Sequence, residues 1–278
     1  MSAITPIRLG AAEQALIAQL QASGATAAAE RLSLSGLPTR RVEAYHYTDL
    51  KMLLRAVPAV AEAATPVSGG AFTVPGATRI VIGNGVPHLP ATLPPGLRAS
   101  LAKGAALTER DDVLVRLNGA LAQTTLKLDI SGALTSIVHI DRRSDGPAAH
   151  VNDSAHVFVA DWAKATVIET FSGSDAAHVA NHGSYVSLGA GAELTHVLLD
   201  LSSGAATNFA TAEYHIGADA RLRTLTIHVG SGLSRINLFA RFEGEGAHAD
   251  TTGLNLVSEG QHSDITLELS HALPHCSS

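Results

Sequence analysis

Between Ala160 and Ala249 the chain repeats one short phrase. Gly189-Ala190-Gly191-Ala192-Glu193-Leu194 is matched by Gly217-Ala218-Asp219-Ala220-Arg221-Leu222 and by Gly244-Glu245-Gly246-Ala247-His248-Ala249, with Ala160-Asp161-Trp162-Ala163-Lys164-Ala165 as a degenerate copy. The shared alanines Ala163, Ala192, Ala220 and Ala247 stand 29, 28 and 27 residues apart. A near-constant period of this size marks a solenoid, in which each repeat buries its apolar face against the next. A small residue at a fixed point of every turn fits a corner where coils stack closely, and glycine beside it supplies the positive φ of a sharp turn. The competing reading is a sandwich whose hairpin turns happen to share Gly-Ala.

The texture after Thr124 supports the solenoid. Thr125-Leu126-Lys127-Leu128-Asp129-Ile130 alternates apolar and polar with the period of two expected of a strand. His156 to Val159, Thr195 to Leu199, Leu222 to His228 and Asp264 to Leu269 do the same, with no helical pattern between them. Only 11 of the 278 residues are aromatic. Ala, Gly, Val, Leu and Ile must fill the interior, which suits thin stacked layers.

The region before Thr124 reads differently. Ala11 to Ala22 has helical spacing and stops at Gly24, and Ala27 to Leu34 predicts a short second helix ended by Gly36 and Pro38. Thr48 or Asp49 is a natural N-cap for Leu50 to Ala56, which Pro58 closes. A loop follows from Ala61 to Gly76, then a strand from Arg79 to Ile82, a tight turn at Gly83-Asn84-Gly85, loop to Gly96, and a helix from Asp111 to Ala122. The expected organisation is a mainly helical region with a short strand over 1–123 and a parallel β-helix over 124–278.

Composition excludes several classes. No apolar run approaches the ~18 residues of a membrane span. Glu13, Gln14 and Gln19 stand where a signal peptide would need its apolar stretch. The single cysteine, Cys276, rules out an internal disulfide framework and any Cys-rich metal site built by this chain alone. A formal net charge of −6 argues against a nucleic-acid surface. The expectation is a soluble, cytoplasmic protein.

Certain segments are similar to a known family. Arg41-Val42-Glu43-Ala44-Tyr45-His46-Tyr47-Thr48-Asp49-Leu50 resembles the R-x-E-x-W-x-Y-T signature of the SufB/SufD family in its SufD form, with Tyr45 where the family usually has Trp. Leu117-Asn118-Gly119-Ala120 resembles its L-N-x-A segment. Gly232-Leu233-Ser234-Arg235, then Gly244 to Ala247, then Gly260-Gln261-His262-Ser263-Asp264, resemble its core. The resemblance implies a right-handed parallel β-helix and a non-enzymatic scaffold subunit of the SUF iron–sulfur assembly system, in complex with SufB-like and SufC-like subunits. Family members continue into a helical segment that docks the SufC ATPase. This sequence stops at Ser278 and lacks that C-terminal part, so the resemblance implies that it does not recruit the ATPase normally. No cofactor is expected to be bound tightly by this chain alone, and a cluster is expected only within the complex.

Each reactive constellation has a plainer reading beside it. No P-loop pattern is present, so ATP chemistry belongs to a partner. Fourteen histidines invite a metal reading, but most stand singly, and the preferred reading makes each an ordinary, partly exposed position. His271, His275 and Cys276 form the densest cluster and are weak metal candidates, because a chain end lacks supporting hydrogen bonds. Arg41 and Glu43 either meet a partner or hold the helical region to the β-helix through an ion pair, the structural role being preferred. Tyr45, Tyr47 and Thr48 complete that motif. Glu169, Glu193, Asp200, Glu213 and Asp250 raise the alternative of a carbohydrate-active β-helix enzyme. Against it, the repeat places Lys164, Glu193, Arg221 and His248 at one equivalent site, a column of mixed charge rather than a catalytic pair. Asp264 to Ser270 is a strand with no capping helix after it, so the chain is expected to self-associate through this coil or to have it disordered.

Overall fold

The computed structural model describes residues 8–62, 72–104 and 110–278, so most of the expected loop from Ala61 to Gly76 lies outside the described residues. Helices α1 (Ala11–Ala22) and α2 (Thr26–Ser35) pack on each other, and Gly36 ends α2 at φ 66°. After a 3-10 turn at Glu43–Tyr45, Asp49 caps α3 (Leu50–Leu53) by accepting a hydrogen bond from the Met52 amide. This helix ends before the expected Ala56: Leu54 turns extended, and both Leu54 and Val57 are buried. Asp112 caps α4 (Val113–Leu121) through the amides of Leu114 and Val115.

Two seven-stranded sheets form the rest. Sheet I holds β1 (Thr78–Gly83), β2 (Val86–His88), β5 (Val138–Ser144), β7 (Lys164–Gly173), β9 (Glu193–Asp200), β11 (Arg221–His228) and β13 (His248–Asn255). Sheet II holds β3 (Leu97–Lys103), β4 (Thr124–Ile130), β6 (His150–Val159), β8 (Val179–Leu188), β10 (Thr207–Ile216), β12 (Leu233–Phe242) and β14 (His262–Ser270). From β4 onward the chain alternates between sheets, and all pairs along each stack are parallel. The result is a parallel β-solenoid of about 5 turns with N-terminal helices. Antiparallel pairs occur at the start, β1 with β2 and β3 with β4. Strand β3 escapes the sequence pattern because it is an edge strand with only Leu97 fully buried.

The repeat marks a corner. Ala163, Ala192, Ala220 and Ala247 are each 0% exposed, and Lys164, Glu193, Arg221 and His248 stack in register as the sequence period requires. The residue before each alanine takes the left-handed conformation: Trp162, Gly191, Asp219 and Gly246 have φ of 62°, 63°, 56° and 73°. Their amides tie successive corners together, Trp162 donating to the Ala190 carbonyl, Gly191 to Ala218 and Asp219 to Glu245. The first glycine of the phrase serves another purpose. A Cβ on Gly217 would lie 2.7 Å from the Leu188 carbonyl of the turn beneath.

A fifth copy closes the chain. His275 has φ 60°, Cys276 follows it as the small residue packed against the interior, and Ser277 pairs in parallel with His248. The last coil is thus a formed strand, β14, rather than a disordered one. Leu254, Leu256, Val257 and Leu267 remain exposed on this end.

The interior between the sheets is lined by Ala, Val, Leu and Ile, with few rings. A second apolar layer lies outside: Leu16, Leu20, Leu32, Leu50, Leu114 and Leu117 cover Val179, Phe209 and Leu233 on the outer face of sheet II. Asn118 of α4 donates to the carbonyls of Asp153 and Asn181, both at 2.8 Å, and it reaches them because Gly183 has no side chain to block it.

Ala192→Leu or Ala220→Leu should destabilise by ~1–3 kcal/mol through overpacking of a closed corner, whereas Glu193→Gln, on an exposed ion pair, should leave the midpoint nearly unchanged. Chemical denaturation of the three variants checks this, and equal midpoints would contradict the corner assignment.

Candidate functional site

Two sets of polar side chains stand out, and the first joins the helical region to the solenoid. Tyr45 is buried, donates its hydroxyl to Asp112 at 2.8 Å, and lies 4.2 Å from the Arg235 guanidinium. Burial and the neighbouring Asp112 carboxylate push the phenol well above its ordinary range. Arg235 is buried on β12; it donates to the Ala44 carbonyl at 2.5 Å and pairs with Asp264 on β14. Thr48 Oγ1 donates to the same carboxylate at 2.5 Å and meets His262 Nε2 at 3.0 Å. Asp112 accepts from Tyr45 with one oxygen and caps α4 with the other, so a single carboxylate links signature and helix.

The expected Arg41–Glu43 tether is corrected by this geometry. Both residues are exposed, and neither forms an ion pair among the described residues. Tyr45 and Thr48 hold the helical region instead. Tyr47 is 81% exposed, and its ring stands nearly perpendicular to that of His46 at 4.9 Å between centroids.

The second set lies between the sheets. Arg142 on β5 is 0% exposed and pairs with two carboxylates, Glu169 at 2.9 Å and Asp153. It also donates to Ser184 Oγ at 2.7 Å. Ser184 in turn donates to Glu169, at 2.7 Å. His196 holds Glu169 Oε1 at 3.0 Å through Nε2 and Tyr214 at 2.8 Å through Nδ1. His182 Nδ1 reaches Asp153 at 2.6 Å while its ring stacks on Phe171. One turn further, Asp200 accepts from Ser231 at 2.8 Å and Ser234 at 2.9 Å.

Burial sets the protonation states here. Burial, then the Arg142 charge, lowers His182 to about 3, so it donates Nδ1–H to Asp153 as a neutral ring. Burial alone lowers His150 to about 4, where it bonds Gln19 of α1 at 2.6 Å. Burial would raise Glu169, but Arg142, His196 and Ser184 outweigh it and hold the carboxylate well below its ordinary range. A buried ion pair stripped of one partner leaves an uncompensated charge, so this network acts as a unit. It offers neither a free nucleophile nor an unpaired acid to a substrate.

The histidine reading needs correction too. His139, His150, His178, His182, His196 and His228 are buried, while His156, His215 and His248 are partly open. A signal for this was present in the sequence. Arg142–Glu169 and Glu169–His196, both 27 residues apart, lie two residues off the 29-residue register of their turns. Asp153–His182 and Arg235–Asp264, by contrast, are ladder partners 29 residues apart, the repeat period itself. The period applied to charged residues would have paired the latter two.

The acids weighed for carbohydrate chemistry do not converge. Glu169 and Asp200 are interior, Glu213 faces out from sheet II, and Glu193 is an exposed partner of Lys164 at 2.8 Å on sheet I. At the C-terminal cluster, His271 meets Ser278 Oγ at 3.1 Å and packs on Phe242, while the Cys276 thiol donates to the Gly244 carbonyl at 3.3 Å. Among the described residues, no group of three or more His, Cys, Asp or Glu side chains is arranged to hold a metal. No helix among them is long and apolar enough to cross a membrane.

The family model of the SUF system FeS cluster assembly, SufBD core domain, matches residues 142–278. The chain is 26% identical over 266 residues to the iron-sulfur cluster assembly protein SufD of Escherichia coli (strain K12), covering 90% of this chain and 62% of that protein. It is 29% identical over 168 residues to an iron-sulfur cluster assembly SufBD family protein of Mycobacterium tuberculosis (strain ATCC 25618 / H37Rv), covering 58% of this chain. A SufBD family protein of Mycobacterium leprae (strain TN) is 38% identical over 63 residues. The match spans 32% of the length of the M. tuberculosis relative.

Arg142→Met should destabilise by ~3–5 kcal/mol, because it strands two buried carboxylates, while Lys164→Met on an exposed pair should cost under ~1 kcal/mol. Similar denaturation midpoints for the two variants would dissolve the network as a stabilising unit.

A pH profile tests the same groups. His182 and His150 are depressed from 6.5, so the unfolded chain binds protons that the folded one refuses as pH falls below 6.5. Each imidazole then removes up to ~1.4 kcal/mol per pH unit. Glu169 acts in the same direction below about 4.5, its stabilisation being lost as the carboxylate protonates. His215 has the opposite sign: it is raised to about 9, and its contribution is lost as pH rises through that value. Calorimetry should find the highest Tm near neutral pH and a steep fall towards pH 4.5, shallower in His182→Asn. A flat acid limb would refute the assignment.

Proposed function

The chain belongs to the SufB/SufD family, and from that premise we propose that it is a non-enzymatic scaffold subunit for iron–sulfur cluster assembly, working in the cytoplasm with a SufB-like subunit and a SufC-like ATPase. The observation that carries this reading is where the SufBD core match falls. It covers the solenoid turns from β5 onward, whose buried ionisable groups are engaged with one another. Such a body suits rigid presentation of surfaces better than turnover of a substrate.

The cluster is cargo in this reading, and its ligands come largely from partners. The chain brings one thiol, Cys276, and that thiol sits at the small-residue position of the last corner. The histidines facing the interior hold carboxylates or hydroxyls. The isolated chain therefore binds neither iron nor zinc tightly, and a cluster resides in the complex. Exposed Leu254, Leu256 and Leu267 favour self-association of the isolated chain through its last coil.

Co-expression of the tagged chain with SufB-like and SufC-like proteins, followed by anaerobic purification, tests the reading. The expected result is a complex that carries iron and sulfide, while the chain purified alone holds far less than one metal per chain and scatters light as more than a monomer. A stoichiometric metal on the lone chain, lost in Cys276→Ser, would overturn the division of labour.

A further inference from the structure

The helices leave part of the outer face of sheet II open. Beside them runs a groove of about 880 Å³. One column of the ladder forms its floor: Lys127, His156, Tyr185, Glu213 and Phe239, stacked in that order on β4, β6, β8, β10 and β12. Four strand spacings of ~4.8 Å make this column about 19 Å long, the span of an extended segment of about six residues.

The charge of the groove opposes that of the molecule. The chain carries a formal net charge of −6, yet Lys103, Lys127 and Arg241 line this one groove. All three are exposed, and none of their side chains has a hydrogen bond or ion pair among the described residues. Asp129, two residues beyond Lys127 on the same face, is exposed, and the other acids nearby are engaged. Asp111 is paired with Arg31 and Arg116, and Glu268 with Arg110. His215 lies 2.7 Å from Glu243 and 3.5 Å from Glu213. The hydrogen bond to Glu213, followed by that to Glu243, raises this imidazole to about 9, so at neutral pH it is a cation that offsets half of their charge. Between the cations the rings of Tyr185 and Phe239 are largely buried, and the Arg110 guanidinium sits 3.8 Å above the Phe239 ring.

We infer that this groove docks an extended acidic segment of a partner protein, with carboxylates meeting Lys103, Lys127 and Arg241 and an apolar side chain lying over the Arg110–Phe239 pair. Spaced cations over a floor that also holds Glu213 and Glu243 suit a peptide with separated charges. A continuous phosphate backbone would meet those carboxylates, and a small anion would reach one cation at a time. This surface lies outside the solenoid interior and does not depend on the scaffold reading.

The test is fluorescence anisotropy of the full chain with a labelled eight-residue peptide, alternating Asp and Glu around one central Phe. The expected result at ~50 mM salt is saturable binding that weakens as salt rises, and that falls roughly tenfold in Lys127→Glu combined with Arg241→Glu. The same peptide with Asn and Gln for its acids should not bind. Thermal melting confirms that the variant is folded; if it is not, the milder Lys127→Gln with Arg241→Gln should still lose about threefold. Equal affinity in wild type and folded variants overturns the inference. So does tighter binding of a single-stranded oligonucleotide of equal charge, or loss of peptide binding to millimolar inorganic phosphate.

Discussion

The parallel backbone ladder, which sets each turn on the next at ~4.8 Å, governs the rest of this molecule. Because register runs from 26 residues (Thr207 to Leu233) to 29 (Leu233 to His262), every side chain has a fixed neighbour one turn away. That constraint demands small residues where the tube bends. It explains why Ala163, Ala192, Ala220, Ala247 and finally Cys276 follow a left-handed residue. It also explains why the left-handed site tolerates Trp162, Asp219 and His275: their side chains leave the corner, while the backbone amides of Trp162 and Asp219 stitch it to the next turn.

The same ladder dictates how charge can be buried. Two sheets facing across a narrow interior would not tolerate Arg142 unless carboxylates met it, and Glu169 and Asp153 approach from both sides. Ser184, His196 and Tyr214 then satisfy the remaining donors and acceptors. A register slip of one turn would leave these charges unmatched in low dielectric, so the network penalises alternative stackings that an all-aliphatic interior would permit.

The helical region is bound to this frame at a few points. Tyr45, Thr48, Arg235, Asp264 and His262 come from segments that look unrelated along the chain, yet they form one contact between the signature and β12–β14. Two observations follow about the signature. Its buried half is an anchor, while Arg41, Glu43 and Tyr47 face solvent. The helices cover only part of the outer face of sheet II, and the uncovered part is the cationic groove.

Local pattern was enough to place the helices, a cap at Thr48 or Asp49, the tight turn at Gly83 to Gly85, and the solenoid with its corner register. Each of these rests on short-range sterics or on a repeated phrase, and both are written in adjacent residues. The buried histidines, the Arg142 network and the Tyr45 anchor were not visible from local pattern, because a single polar residue in a strand reads the same whether it faces water or a carboxylate across the tube. Strand β3 was missed for a related reason: an edge strand with only Leu97 fully buried carries little alternation. The ion pair imagined for Arg41 and Glu43 failed because two charges near a junction say nothing about which side chain turns inward. Sequence alone determined the period, and with it the fold. Tertiary structure alone decided which polar groups that period would bury together, since burial depends on the facing sheet and not on the residue's own neighbours.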